Sequence, residues 1–372
     1  MQRIRFTVLF TLLSALSAPA FGKSTTQLDN GDFLTVIDAT AGGAFTTEPH
    51  DFTYFSFEDQ DVVALTDAEA AQSTEWHIAF KRSEIRLNGG ISGPGNVMGF
   101  DLTGAEDVVA EEAFDAIAAT DIPTADAFIA DGPAYAIGEW YSYNSSSHRI
   151  EVSGNAYELR IADGQFAKFV VDAIEGASRA DAGRITFRWV VADGTDLTGA
   201  ASSATVDVSE GKEVYFSLSS GESVTPADPS TSTDWDLHFS GYVIRLNGGI
   251  SGPGQGGAFP AYQTDQTFEE IAEAMGFGYF ADKSGSAFSS DTGEWYSYDS
   301  TTHFLSTRNH VYVIDTGEGF YKMQLISYYR EVEGSPVSGF ITFRWRPLTD
   351  EPGTAIQSSS WGQLKARLWD SN

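Results

Sequence analysis

The sequence predicts an all-β protein, mainly antiparallel sheets with one short helix per domain, arranged as two tandem homologous domains. Three observations predict it. A long stretch of the chain repeats itself in order. Most repeated segments are rich in β-branched and aromatic residues that alternate with period two. One segment per copy has helical spacing instead.

The repeat is most obvious in RLNGGISGPG, which occurs at Arg86–Gly95 and again at Arg245–Gly254. It belongs to a longer match, TEWHIAFKRSEIRLNGGISGPG (Thr74–Gly95) against TDWDLHFSGYVIRLNGGISGPG (Thr233–Gly254). GEWYSYNSSSHRI (Gly138–Ile150) then matches GEWYSYDSTTHFL (Gly293–Leu305), and GRITFRW (Gly183–Trp189) matches GFITFRW (Gly339–Trp345). Order is kept and the offset drifts by only a few residues, so the chain is a duplication with a period too long for a solenoid. The expected domains are 23–200 and 201–346, joined through the Gly- and Ser-containing DGTDLTGAASSA (Asp193–Ala204).

Along the chain, the first 22 residues have a positive start (Arg3, Arg5), an apolar stretch from Phe6 to Leu16 and the small residues Ala18-Pro19-Ala20. They read as a signal peptide. Tyr54 (YFSF), Trp76 (WHIAF), Glu139 (EWYSY), Ala156 (AYELRI) and Ile185 (ITFRW) open strand segments, while ADG at Ala162 and TGEG at Thr316 are hairpin-turn material. FDAIAAT at Phe114 and FEEIAEAM at Phe268 have helical spacing, the second with a Thr267/Glu270 capping box. The tail 347–372 begins as loop, and SSSWGQLKARLW reads as a short helix docked on the second domain.

Composition limits the partners. The formal net charge is -30, and about -32 once the first 22 residues are removed with their two arginines. That excess of carboxylates opposes nucleic acid and anionic membranes, both of which are bound through Lys and Arg. No segment after the first is long and apolar enough for a transmembrane helix. There is no cysteine, which excludes thiolate chemistry, zinc–cysteine sites and an N-terminal lipid anchor on Cys. The expected location is the periplasm, the cell surface or the medium.

Candidate sites are few. The glycine loop has the turn formers of an anion cradle but lacks a P-loop ending, and no G-x-G-x-x-G joins a strand to a helix. It reads as the turn-rich centre of the shared fold. G-x-S-x-G and H-E-x-x-H are absent, and TADAFIADG (Thr124–Gly132) lacks calcium-loop spacing, so the chain is read as non-catalytic. Of six histidines, only His148 and His303 stand at equivalent positions, each after a WYSY strand and a polar turn. They are either solvated hairpin residues or metal ligands.

Taken together, W-D-L-x-F, the I-R-L-N-G-G loop, W-Y-x-Y, Y-K-M-Q-L-x-S-Y-Y (Tyr321–Tyr329) and G-F-I-T-F-R-W resemble the HmuY family of exported bacterial haem-binding proteins. The second copy resembles it more fully than the first. The resemblance implies capture of haem or a related porphyrin and delivery to a TonB-dependent outer-membrane receptor. It implies two side chains on the iron, with His303 preferred and Met275 or His310 as partner. His148 with Met98 is the corresponding set in the first copy, and Tyr296, Tyr298 and Phe304 would wall the pocket. The competing expectation is a surface interaction or adhesion module without haem.

Overall fold

The computed structural model describes residues 24–41, 50–145, 149–178, 181–290, 293–299 and 301–349. The signal-peptide expectation at 1–22, nearly all of the tail and His148 lie outside them. The all-β reading holds: antiparallel strands dominate, and the helices are single turns such as Asp67–Ala70 and Ala113–Ala116.

The chain forms two compact units, and their boundaries cut across the sequence repeats. The first unit takes the described residues of 1–89, 93–129 and 291–372; the second takes Gly90–Ser92 and Ala130–Ser290. Each unit therefore joins the front half of one repeat to the back half of the other. The expected domains 23–200 and 201–346 are repeats of sequence, whereas the compact bodies are assembled from halves of both.

In the first unit a six-stranded antiparallel sheet runs Thr25–Gln27, Phe33–Asp38, Ser335–Pro347, Phe320–Val332, Val311–Asp315 and Met98–Asp101. A four-stranded sheet, Asp61–Val63, Thr53–Ser56, Ile78–Lys81 and Glu84–Leu87, packs its inner face against it. Phe343 stacks on Phe80 at 5.4 Å and meets Phe55 edge-on at 5.5 Å.

The second unit repeats this arrangement. A five-stranded sheet runs Ser202–Asp207, Arg184–Val191, Phe166–Glu175, Ala156–Arg160 and Gly257–Pro260. The four-stranded partner is Glu222–Val224, Glu213–Ser217, Leu237–Ser240 and Val243–Leu246. Phe187 stacks on Phe239 at 4.9 Å and meets Phe216 edge-on at 5.1 Å. These rings are fully or almost fully buried, and burying each is worth about 1.5–3 kcal/mol.

The repeated decapeptide is a structural knot in both units. Asn88 donates from Nδ2 to the carbonyls of Ser73 and Trp76, and its Oδ1 accepts from the Gly95 amide. Asn247 does the same with Ser232, Trp235 and Gly254. Gly90 and Gly249 both have φ of +61°, and a Cβ on either would lie 1.9 Å from the carbonyl oxygen of Asp131 or Asp282. Only glycine satisfies both demands.

The helix expected from Phe268 does not form: residues 268–270 make a hydrogen-bonded turn and the chain then runs on without helix. Only half of its capping box forms: the Glu270 carboxylate accepts from the Thr267 amide at 2.9 Å and the Thr267 hydroxyl at 2.8 Å, while the Glu270 amide donates to Thr267 O and not to that hydroxyl. Beyond it the backbone leaves to bond another loop, Leu197 N to Ala272 O and Ala274 N to Thr195 O. The Lys168 ammonium donates to Ile271 O at 2.8 Å in place of the next helical amide.

Candidate functional site

Each unit carries a two-stranded hairpin built from the repeated GEWYSY segment. In the first unit Tyr296–Asp299 pairs with Phe304–Thr307; in the second, Tyr141–Asn144 pairs with Arg149–Val152. The tryptophan at the hairpin base fixes its position. Trp295 is buried and donates from Nε1 to Ser83 O at 2.9 Å, and Trp140 donates to Tyr242 O at 3.1 Å. Ser83 and Tyr242 lie in the equivalent tight turns of the two four-stranded sheets. The indole thus joins the hairpin to the floor of a cleft.

In the first unit this cleft has a volume of about 480 Å³ and is lined by His303, Phe304, Leu305, Tyr328, Tyr329 and Arg82, among others. The hairpin loop presents the histidine. Asp299 accepts from the amides of Thr301 and Thr302, the His303 amide returns to Asp299 O at 2.8 Å, and His303 itself adopts a φ of 60°. His is among the non-glycine residues that tolerate this region. The Tyr298 hydroxyl lies 2.6 Å from His303 Nδ1, which fixes the ring, and among the described residues no partner meets Nε2. Phe304 packs on Tyr329 at 5.0 Å, and the Tyr329 hydroxyl accepts from the Leu305 amide. Arg82 is held by Ser338, donating to its carbonyl and hydroxyl.

The second unit has the equivalent cleft, about 850 Å³, lined by Tyr141, Tyr143, Arg149, Ile150, Ser178 and Tyr242. Tyr242 packs on Tyr141 at 5.0 Å and donates its hydroxyl to Ser178 O at 2.5 Å. Both volumes fall in the range of small-molecule sites.

A model of the HmuY protein family matches residues 48–189 and, separately, 209–345. The chain belongs to the HmuY family. No curated protein matches it. The two matched segments are the two sequence repeats, so each HmuY segment begins in one compact unit and ends in the other.

Of the residues singled out from the HmuY resemblance, the structure brings His303, Phe304 and Tyr298 together. Tyr296 stands one residue above the anchoring indole, edge-on to it at 5.1 Å. His310 is buried elsewhere: its Nδ1 faces the Asp101 carboxylate at 2.6 Å and its Nε2 faces Asp107 O at 3.3 Å. Both ring nitrogens are thus engaged in tying strand Val311–Asp315 to its neighbour's end. Met98 is half-buried against Phe128 and Val313. Met275 is in the second unit, 37% exposed, with its amide donating to the Glu158 carboxylate. Sequence reasoning missed Arg82, Tyr328, Tyr329, Arg149 and Tyr242 as lining residues. The two tyrosines of SYY stood inside the family pattern, but nothing in the letters places the turn residues Arg82 and Tyr242 beneath a hairpin distant in sequence.

Proposed function

We propose that this HmuY-family chain binds haem or a related porphyrin in the His303 cleft, as a capture protein and not a catalyst, and passes it to a TonB-dependent outer-membrane receptor. One observation carries the reading: an exposed imidazole, oriented by Tyr298, stands beside an aromatic wall. With Nδ1–H donated to the Tyr298 hydroxyl, Nε2 keeps its lone pair for iron, the usual way an outer partner sets the ligating tautomer. Bound haem would supply the iron that the imidazole coordinates. Phe304, Leu305 and Tyr329 would cover a porphyrin face, and Arg82 offers a cation for its carboxylates. The residues fit a single axial histidine, since His310 is occupied by Asp101 and Asp107. The cleft of the second unit, lined by Tyr143 and Arg149, is the candidate second site; His148, the ligand that the family resemblance implies for this copy, lies outside the described residues.

The test is a haemin titration of the full chain followed at the Soret band. A saturable, red-shifted band at one or two equivalents, diminished in His303→Ala, is expected, with the remainder lost in His148→Ala. A broad, unsaturable spectrum indifferent to both substitutions would falsify the reading. It would leave the interaction module, which the exposed Met275, Phe277 and Phe280 of the second unit favour.

A further inference from the structure

The first unit has another cavity, away from the hairpin cleft, with a volume of about 680 Å³. Its walls include Glu58, Asp59, Glu75 and Glu318, and at its base lies His77, which is only 7% exposed. The Phe57 amide donates to His77 Nδ1 at 3.0 Å. That bond fixes the tautomer: Nδ1 holds the lone pair, so Nε2 carries the hydrogen. Among the described residues no acceptor meets Nε2–H, although the side chain is more than nine-tenths buried and its exposed remainder lines the cavity. Nε2–H is thus a fixed donor at the cavity wall, available to an oxygen acceptor that enters it.

The second unit provides an internal comparison. Asp236 stands where His77 does, and both its oxygens are used. They accept from the Leu218 amide at 2.7 Å, the equivalent of Phe57, and from the Ala162 amide at 3.0 Å. Ala162 O in turn accepts from the Gln255 amide at 3.0 Å, so the loop is sewn onto the end of the decapeptide. In the first unit the corresponding loop closes on itself, Thr316 N to Gly319 O. Glu58 and Asp59 replace Ser219 and Ser220 of the second unit. One copy is therefore clasped shut by a carboxylate, and the other is open, lined with carboxylates and based on a neutral N–H donor.

We propose that this cavity binds a compact organic cation, an ammonium or guanidinium with a neutral oxygen acceptor beside it. The carboxylates receive the cation and His77 Nε2–H meets the oxygen. A metal ion is the poorer occupant, because the tautomer fixed by Phe57 leaves Nε2 no lone pair to donate. The neighbouring Glu318 carboxylate raises the pKa of the Glu58 carboxyl above its ordinary value, a mutual repulsion that a cation between the two would relieve.

The test uses the full chain and L-argininamide as probe, titrated calorimetrically in 150 mM salt. Saturable one-to-one binding is expected. It should weaken at least tenfold in the Glu58→Gln/Glu318→Gln double variant and in His77→Asp, which installs the residue of the closed copy. A Glu331→Gln/Glu333→Gln variant, with the same change of charge on a distant exposed turn, should bind as the parent does. Equal weakening in both double variants would show a general attraction to an acidic surface and overturn the proposal. So would absence of saturation, or unchanged binding in His77→Asp. Haemin binding should be the same in the parent and the Glu58/Glu318 variant, so this site and the hairpin cleft stand or fall separately.

Discussion

Asn88 holds three backbone groups with one side chain, which is why a residue inside a glycine-rich loop has no freedom to vary. Asn88→Ala leaves two carbonyls and an amide without their partner, at a cost of roughly 2–4 kcal/mol. The urea midpoint should fall accordingly, and a shift worth less than about 0.5 kcal/mol would refute the role. Lys322 makes a different kind of claim. Its ammonium donates to Phe114 O and Ile117 O, and burial lowers its pKa to about 8 against the attraction of Asp32 and Asp115, with Arg346 and Arg344 adding repulsion. Between pH 8 and 10.5 the unfolded chain then holds a proton that the folded chain has released, so stability due to this group rises with pH across that window. The expected rise is about 1–2 kcal/mol by pH 10, after allowance for solvent screening. Denaturation of the parent and Lys322→Met from pH 8 to 9.5 isolates it from tyrosine ionisation, and a pH-independent difference between them would contradict it.

At the scale of elements, the tryptophan of GEWYSY decides where a hairpin sits, because its indole is buried and its N–H is committed to the turn beneath the cleft. Trp295→Phe keeps most of the apolar burial but leaves Ser83 O without its donor. It should cost about 1–3 kcal/mol and loosen the His303 loop, seen as weaker haemin binding with an intact core. Equal haemin affinity in the variant would show that the hairpin needs no such anchor. The hairpins, the strands and the glycine turns were legible because alternation and turn chemistry are local. The helix at Phe268 was misjudged for the opposite reason. Half of its capping box is local and forms, but the Ile271 carbonyl that a helix would use accepts from Lys168, on a strand about a hundred residues earlier, and both that lysine and Arg188 lie over the Phe268 ring. The first unit repeats the device with Lys322 and Arg344 on Phe114. Sequence shows these cations only as alternating strand residues; their aromatic partner appears with the fold.

At the scale of the molecule, the duplication was plain in the letters but the choice of partner was not. Front and back halves of the two repeats carry interchangeable inner faces: Phe343 and Trp345 in one unit stand where Phe187 and Trp189 stand in the other. A front half is thus complementary to either back half, and hydrophobic patterning alone cannot say which it will meet. The structure joins 130–208 to the following front half through strands Ser202–Asp207 and Glu213–Ser217, which leaves Ala130–Ser290 a nearly complete body and divides the other unit between the two ends of the chain. The consequence is testable by truncation. A 130–290 fragment lacks only Gly90–Ser92 of its unit and should fold alone, with a cooperative thermal transition and the near-ultraviolet signal of packed Trp140, Trp189 and Trp235. A 23–200 fragment carries two unmatched halves, each exposing a sheet face that needs its partner, and should be expanded or self-associated. If 23–200 instead gave a monomer with a cooperative melt while 130–290 did not, the repeats themselves would be the folding units and the crossed pairing would be wrong.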